Sequence, residues 1–450
     1  MAGFHNYHLL DACCTIDDAN NIPIMEMIKL KSMIRGICQL LVPIIVFFSA
    51  FQTAAGDKVI ELKPITQAVS EQNPPVVNAL AAIVVEESSG RILFARNATQ
   101  KRSIASTTKI MTALVALEEG SLDDVVTISK RAATIGGSTV GLQTGQKYTL
   151  KELLFAMLMI SGNDAAIAIA EHVGGTVEQF ADLMNKKART LGAKNSHFVT
   201  PHGLDRENQF STAHDLAIIT IEALKNPLFA EIVSTTSSSI SGHHLYNTNE
   251  LLGSCPGVDG VKTGYTGKAG RCLVTTARRG DMRLISVVLG SPTKNARASA
   301  SRALLDYCFT NFAMHKLQQA GDVYARVPVS RGIGENIELK VENDIEVPLS
   351  KLELELLEAE SSVPDVLNAP VYAGVDTGFV EYAVNGEMLG RSMLKTSKNI
   401  RKKVITDYMK EVLYSWSKMM REGMFSEIYG VGRVSKNNFI YDILLSNLKK

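Results

Sequence analysis

Apolar positions recur along this chain with two periods, and each period predicts its own kind of element. From Asn78 onward, the apolar run AAIVVE, a polar break at Glu87-Ser88-Ser89-Gly90 and a returning apolar run over 92–95 predict a β-hairpin. Residues 106–119 carry helical spacing and stop at Gly120. Residues 150–173 read as two apolar helices interrupted by the polar triplet Ser161-Gly162-Asn163. Amphipathic helices are predicted over 176–191 and 212–224, the second capped by Ser211 or Thr212. Stretches 270–277 and 282–290 are β-rich and separated by Arg279-Gly280-Asp281, so they read as a second hairpin. A last helix is predicted over 299–312. Helices inserted between strands of an antiparallel sheet give an α/β domain over 77–315.

From about 318 the period changes to two. Val323, Ala325, Val327 and Val329 alternate with polar residues, as do Ile337, Leu339 and Val341, then Ile345, Val347 and Leu349. That pattern predicts a small all-β domain over 318–394. Residues 395–422 are basic and helical. Val404, Ile405, Tyr408, Met409, Val412, Leu413, Trp416, Met419 and Met420 fall on one helical face. Between Arg401 and Glu422 six basic residues stand against three acids. An apolar face with a basic polar face suits a helix lying on an anionic membrane surface, the rival being a helix packed on the β-domain. Residues 423–450 receive no assignment.

Upstream, Lys29, Lys31 and Arg35 precede the apolar run GICQLLVPIIVFFSAF, and Thr53, Ala54, Ala55 and Gly56 follow it. Positive flank, apolar core and small residues form the order of a secretory signal, with cleavage expected after Ala55. The run spans 16 residues, short of the ~20 that cross a bilayer comfortably. An uncleaved anchor or a buried helix is the alternative. Residues 1–26 are an unusual preface, and the start is expected at Met27 or nearby; 1–55 is therefore read as leader and signal. Export would place the mature chain on the outer face of the cytoplasmic membrane or in the cell wall.

Composition narrows the classes further. Hydrophobic residues are 46% and the net charge is +1, which excludes disorder and argues against a dedicated nucleic-acid binder. Cys13, Cys14 and Cys38 would leave with the signal. Cys255, Cys272 and Cys308 remain, an odd number that reads as buried free thiols.

Three short motifs carry the chemistry. Ser106-Thr107-Thr108-Lys109 puts a hydroxyl and an amine on one helical face. Serine needs a base beside it, and a desolvated lysine near other cations can lose its proton and serve. Ser-x-x-Lys also occurs at Ser291, Ser392, Ser415 and Ser446, so one copy alone is weak. Ser161-Gly162-Asn163 breaks an apolar stretch; it reads as a proton shuttle and amide binder, or as a helix cap. Lys262-Thr263-Gly264 occurs once; it reads as a carboxylate-binding strand edge, or as a turn. There Gly264 would let a substrate backbone come close. His243-His244 has no accompanying ligand cluster, so neither metal nor cofactor is expected. His202 reads as a hydrogen-bonding residue of its loop.

The three motifs in this order resemble the set of the penicillin-binding proteins and β-lactamases. With AAIVVEESSGRILFARNA, ASTTKIMTALVALE, MLMISGNDAAIAIAEHVGG, TPHGLD, PGVDGVKTGYTGKAGRCLVTTA and MRLISVVLG, the chain is similar to the D-alanyl-D-alanine carboxypeptidases of peptidase family S11. The resemblance implies a serine transpeptidase-like α/β fold, a small β-domain and a C-terminal amphipathic membrane anchor. It implies that Ser106 is the acylated nucleophile and Lys109 its base. Ser161 and Asn163 would relay protons and hold the substrate amide; Lys262, Thr263 and Gly264 would receive the terminal carboxylate side. Backbone N–H groups of Ser106 and Tyr265 would form the oxyanion hole. Arg297 sits where the family often has a carboxylate-binding arginine; otherwise it is a solvated helix residue. The implied substrate is a peptidoglycan stem pentapeptide, and β-lactams would be inhibitors. A silent penicillin-binding sensor or wall scaffold is the rival from another class. A β-lactamase is disfavoured because no Glu-x-x-Leu-Asn string is present.

Overall fold

The computed structural model describes residues 62–63 and 68–421. The expected signal segment, its cleavage site, the leader cysteines and the tail lie outside the described residues. Strands β1 (Ala81–Glu86) and β2 (Ile92–Arg96) form the first predicted hairpin. With β3 (Val258–Thr266), β4 (Gly270–Arg279) and β5 (Met282–Ser291) they build an antiparallel sheet of order β2-β1-β5-β4-β3. Every residue of β1 is buried because both faces of the sheet are covered. Ala81, Ile83 and Val85 enter one core, while Ala82 and Val84 enter another. The strand therefore reads as a continuous apolar run rather than an alternating one.

Helices α1 (Lys109–Glu119), α2 (Leu150–Met159), α3 (Asn163–Gly174), α4 (Val177–Thr190) and α5 (Ala213–Leu224) supply the larger core. Helix α6 (Lys294–Asn311) covers the other face through Leu304, Leu305 and Cys308. It begins at Lys294 rather than 299, because the Thr293 hydroxyl accepts from the amide of Ala296. Its first turn is polar and exposed at Lys294 and Asn295, so apolar spacing does not reveal it. Thr212 is the cap of α5, accepting from the amide of Asp215. Cys255, Cys272 and Cys308 are buried free thiols.

The β-rich part contains β6 (Val323–Ser330), β7 (Asn336–Val341), β8 (Leu357–Ser362), β9 (Leu367–Asn368), β10 (Asp376–Val384) and β11 (Glu387–Thr396). They form a sheet of order β8-β10-β11-β7-β6-β9, antiparallel except where β9 joins β6. Ile337, Leu339 and Val341 are buried, as the alternation requires. On β6 only Val327 and Val329 are, since the pairing register shifts between Val323 and Ala325 and leaves Val323 44% exposed. Helix α7 (Ile405–Arg421) follows, with Ile405, Met409, Val412 and Trp416 exposed. Among the described residues no helix is long and apolar enough to cross a membrane.

A buried ion pair joins the first hairpin to the short helix Lys351–Glu355 of the β-rich part. Arg91, at the end of the first hairpin turn, is 1% exposed and meets Glu353 through Nη2–Oε1 at 2.8 Å and Nη1–Oε2 at 3.0 Å. Glu353 also accepts from the amide of Val69. Arg91 also has Glu387 at 3.8 Å, but removing Arg91 leaves the Glu353 carboxylate buried without a counter-charge, a loss of about 3–5 kcal/mol. Arg91→Ala is therefore expected to lower unfolding free energy by at least ~3 kcal/mol in urea titration. Arg326→Ala, which breaks only an exposed pair with Glu338, should cost less than about 1 kcal/mol. Equal losses would contradict the difference in burial.

Candidate active site

Ser106 does not open α1. It lies in a 3₁₀ turn, Ala105–Thr108, that leads into Lys109 at the first position of α1. Ala105 adopts a left-handed φ of 49°, and Gly203 in the facing loop has φ 87°. A Cβ at Gly203 would lie 2.0 Å from the carbonyl oxygen of Ala105, so the serine turn and this loop fit only with glycine there. On the opposite side stands β3. A Cβ at Gly264 would come within 3.0 Å of the amide nitrogen of Ser106 and 3.1 Å of the carbonyl of Ile104. The missing side chain at Gly264 makes room for the serine turn itself.

Lys109 is fully buried, and its Nζ has three neighbours. They are Ser106 Oγ at 3.0 Å, Asn163 Oδ1 at 2.7 Å and the carbonyl oxygen of His202 at 2.8 Å. Burial, followed by the nearby charge of Lys262, holds the Lys109 amine well below its ordinary value, with Asp164 pulling weakly the other way. A neutral amine has two hydrogens and one lone pair. Asn163 Oδ1 and the His202 carbonyl can only accept, so they take the two hydrogens. The lone pair is left facing the Ser106 hydroxyl.

Asn163 is the first residue of α3, and its side chain does not cap that helix. Its Nδ2 donates to the carbonyl of Gly136 at 2.8 Å, which turns Oδ1 toward Lys109. Asp164 fixes the same loop: its carboxylate accepts from the amides of Val140, Gly141 and Leu142 at 2.9–3.1 Å. Ser161 precedes with a left-handed φ of 66° and lines the cleft. Gly162 is required because a Cβ there would lie 2.8 Å from Val140 and 2.9 Å from Asp164.

Lys262 lies on β3 at the sheet edge, fully buried, its Nζ donating to the carbonyl of Thr263. Burial and the Arg297 guanidinium lower it to about 7. Thr263 shares a hydroxyl contact with Thr248 at 2.8 Å. Arg297 is 3% exposed and doubly bound to Glu250, with both Nη2–Oε distances at 2.7 Å. The solvated-helix alternative for Arg297 is thereby excluded. Tyr265 is exposed, with the Arg271 guanidinium 3.6 Å from its ring centre.

Ser106, Ser161, Thr263, Gly264, Tyr265 and Arg297 line one cleft of about 430 Å³. Lys109, Asn163 and Lys262 are buried against it, so all nine expected positions meet at one place. Sequence reading missed Thr248, Glu250, Asp164 and the His202 carbonyl. Only Asp164, adjoining the Ser-Gly-Asn triplet in the first turn of α3, left a local signal. His202 accepts from the amide of Leu204, and burial with the charges of Lys109, Arg206 and Arg131 lowers it to about 3. His243 meets Tyr148 and His244 meets Ser239; among the described residues no three side chains could hold a metal together.

The sequence profile described as D-alanyl-D-alanine carboxypeptidase, peptidase S11, matches residues 67–293, and that of the penicillin-binding protein 5 C-terminal domain matches 312–402. The chain is 35% identical to D-alanyl-D-alanine carboxypeptidase DacF of Bacillus subtilis, over 76% of this chain and 90% of that one. The crystal structure of penicillin-binding protein 5 from Haemophilus influenzae is similar at a TM-score of 0.66 and 33% identity, covering 74% of this chain and all of that one. A Streptomyces K15 DD-transpeptidase structure matches at a TM-score of 0.51 and 34% identity, covering 52% and 99%.

Replacing Asp164 by Asn removes the charge that Oδ2 offers to three backbone donors and puts an N–H where Oδ1 accepts from Val140 and Ala165. Asp164→Asn is expected to speed amide exchange at Val140, Gly141 and Leu142 at least ~10-fold, since a lost charged hydrogen bond is worth roughly 1.5–3 kcal/mol. Unchanged protection of these amides would show that the loop is held by other contacts.

Proposed function

The chain belongs to the D-alanyl-D-alanine carboxypeptidases of peptidase family S11, and from that premise we propose how its cleft works. It is a serine-type carboxypeptidase that acts on peptidoglycan, removing the terminal D-alanine of a stem pentapeptide. The observation that carries the mechanism is the 3.0 Å approach of Lys109 Nζ to Ser106 Oγ, with both amine hydrogens engaged elsewhere.

Lys109 takes the Ser106 proton as Oγ attacks the carbonyl carbon of the penultimate D-alanine. The carbonyl electron pair moves to oxygen, stabilised by the backbone N–H groups of Ser106 and Tyr265. The intermediate collapses, the C–N bond breaks and the leaving amine receives the proton through Ser161. Asn163 holds the substrate amide. Water then attacks the acyl-enzyme, giving its proton to Lys109, and Ser106 Oγ departs with that proton. Lys262, Thr263 and Arg297 receive the substrate's terminal carboxylate, and Glu250 orients Arg297. β-Lactams carry a carboxylate and an acyl carbon in similar relation, so they acylate Ser106 and inhibit.

Ser106→Ala is expected to abolish covalent labelling by a fluorescent penicillin with circular dichroism unchanged; persistent labelling assigns the nucleophile elsewhere. The pH dependence has a definite sign. Lys109 acts as a base only when neutral, so acylation falls as pH drops through its lowered value. Lys262→Gln removes the like charge that helps lower it. Lys109 then protonates more readily, and the acid limb of acylation should move to higher pH. A limb that stays put would mean that Lys262 does not act on Lys109.

The proposal extends to location. The signal segment implies export, and relatives named penicillin-binding proteins support an extracytoplasmic site. Helix α7 presents Ile405, Met409, Val412 and Trp416 to solvent beside a basic face. Such a helix gains free energy by lying in an anionic membrane surface. A mature chain ending at Lys403 keeps the pairings of Val371 with Ile400 and Gly332 with Lys402. It is expected to stay in solution and bind penicillin, while the chain containing α7 sediments with anionic vesicles more than with neutral ones. Indifference to lipid charge would remove the anchor.

A further inference from the structure

A second depression of about 370 Å³ is lined by Lys101, Arg102, Arg206 and Lys268 around Phe210. No acid lines it, and among the described residues none of these four cations stands within ion-pair distance of a carboxylate. Some cations elsewhere do pair, as Arg131 does with Glu178 and Lys395 with Glu342. Lys101 Nζ stands 4.9 Å from the centre of the Phe210 ring. Arg102 donates through Nη1 to Gln100, but its Nε is buried without a hydrogen-bond partner.

This basic depression is built from the same segments as the cleft. Ser103, three residues before Ser106, lines it. Arg206 lies four residues after His202, and Lys268 three after Tyr265. Thr266 Oγ1 donates to Asp205 at 3.0 Å, tying the loop of Arg206 to the end of β3 and occupying that carboxylate.

The direction of β3 orders the two sites. It is an edge strand, running from Lys262 and Thr263 past Tyr265 to Thr266 and the Lys268 turn. A peptide added antiparallel to such an edge runs opposite to it. With its C-terminal carboxylate at Thr263, its upstream residues pass Tyr265 and Thr266 at roughly 3.3 Å per residue. Two to four residues before the scissile bond therefore reach the basic depression.

Resting on the carboxypeptidase reading, we propose that this depression is a substrate subsite for a free carboxylate on the acyl side, upstream of the terminal D-alanyl-D-alanine. The site selects acidic stem peptides over their amidated forms. It raises their local concentration by charge attraction, which salt weakens.

The test uses the mature enzyme and N-acetylated peptides ending in D-Ala-D-Ala. Each carries glutamate or glutamine at two, three or four residues before the scissile bond. D-alanine release should favour the carboxylate at one of these positions by about tenfold in kcat/KM, equivalent to ~1.4 kcal/mol. The preference should shrink with added salt and vanish in the Arg206→Gln/Lys268→Gln double variant. Penicillin acylation should be unaltered in that variant, since neither residue belongs to the cleft. Equal kcat/KM for acid and amide at all three positions overturns the subsite and leaves the carboxypeptidase reading standing. No release from any peptide removes that reading and the subsite with it. Polyphosphate binding lost in the double variant, alongside equal peptide rates, overturns the proposal in favour of a surface for anionic polymers.

Discussion

A lysine taken out of water must either find acceptors for all three ammonium hydrogens or become an amine. Lys109 is held where the second outcome is favoured. Two of its neighbours, Asn163 Oδ1 and the His202 carbonyl, can only accept, and the third is a hydroxyl that can give. Lys262 adds a like charge nearby. The rest of the site follows from keeping those partners fixed. Asn163 needs Gly136 to orient its amide, and the loop carrying Gly136 needs the Asp164 carboxylate to stay folded. His202 offers its carbonyl from a loop that closes on the serine turn only because residue 203 is glycine.

The sheet supplies the opposing wall. With both faces buried, β1, β5 and β4 cannot shift register without moving apolar side chains on two sides at once. β3 is therefore carried at a fixed height against Ser106, where Gly264 allows backbone to meet backbone. The buried Arg91–Glu353 pair anchors the first hairpin of this sheet to the β-rich part and to the segment at Val69. Such a pair gives little net stability against an apolar alternative, but its loss is severe. It acts as a fastening rather than a source of energy.

The elements that could be read in the sequence are those whose cause is local. The first hairpin, the break between α2 and α3 and the Thr212 cap all declare themselves through neighbours in the chain. The start of α6 did not, because a capping threonine ahead of a polar turn has no apolar periodicity. The shift at Val323 is hidden for the opposite reason: the alternation runs unbroken through it, and only the pairing with β7 reveals it. Among the Ser-x-x-Lys copies, geometry does what spacing could not. Ser392 and Lys395 sit on strand β11, where three residues apart means opposite faces. Ser415 and Lys418 lie on the exposed α7, and Ser446 lies outside the described residues. At Ser291 the lysine, Lys294, is exposed, so among the described copies only Ser106 has a helical turn that meets a buried amine. The partners that complete the site came from tertiary folding. A carbonyl such as that of His202 carries no residue identity, and Glu250 meets Arg297 across 47 positions.

Fixed charge connects these parts in operation. Lys262, itself lowered to about 7, is the like charge that acts on Lys109, while Glu250 pairs with the Arg297 guanidinium. On the proposed roles, the substrate's terminal carboxylate arrives at Lys262 and Thr263 and cancels much of that field. Desolvation of Lys109 remains, so it stays a buried amine, but the like charge opposing its protonation is reduced. Its basicity therefore rises at the moment when the Ser106 proton must be taken. A ligand without that carboxylate would leave the field in place and meet a weaker base. On these proposed roles, recognition of the substrate's end and activation of the nucleophile are two effects of one electrostatic change, carried by the burial of a second lysine near the first.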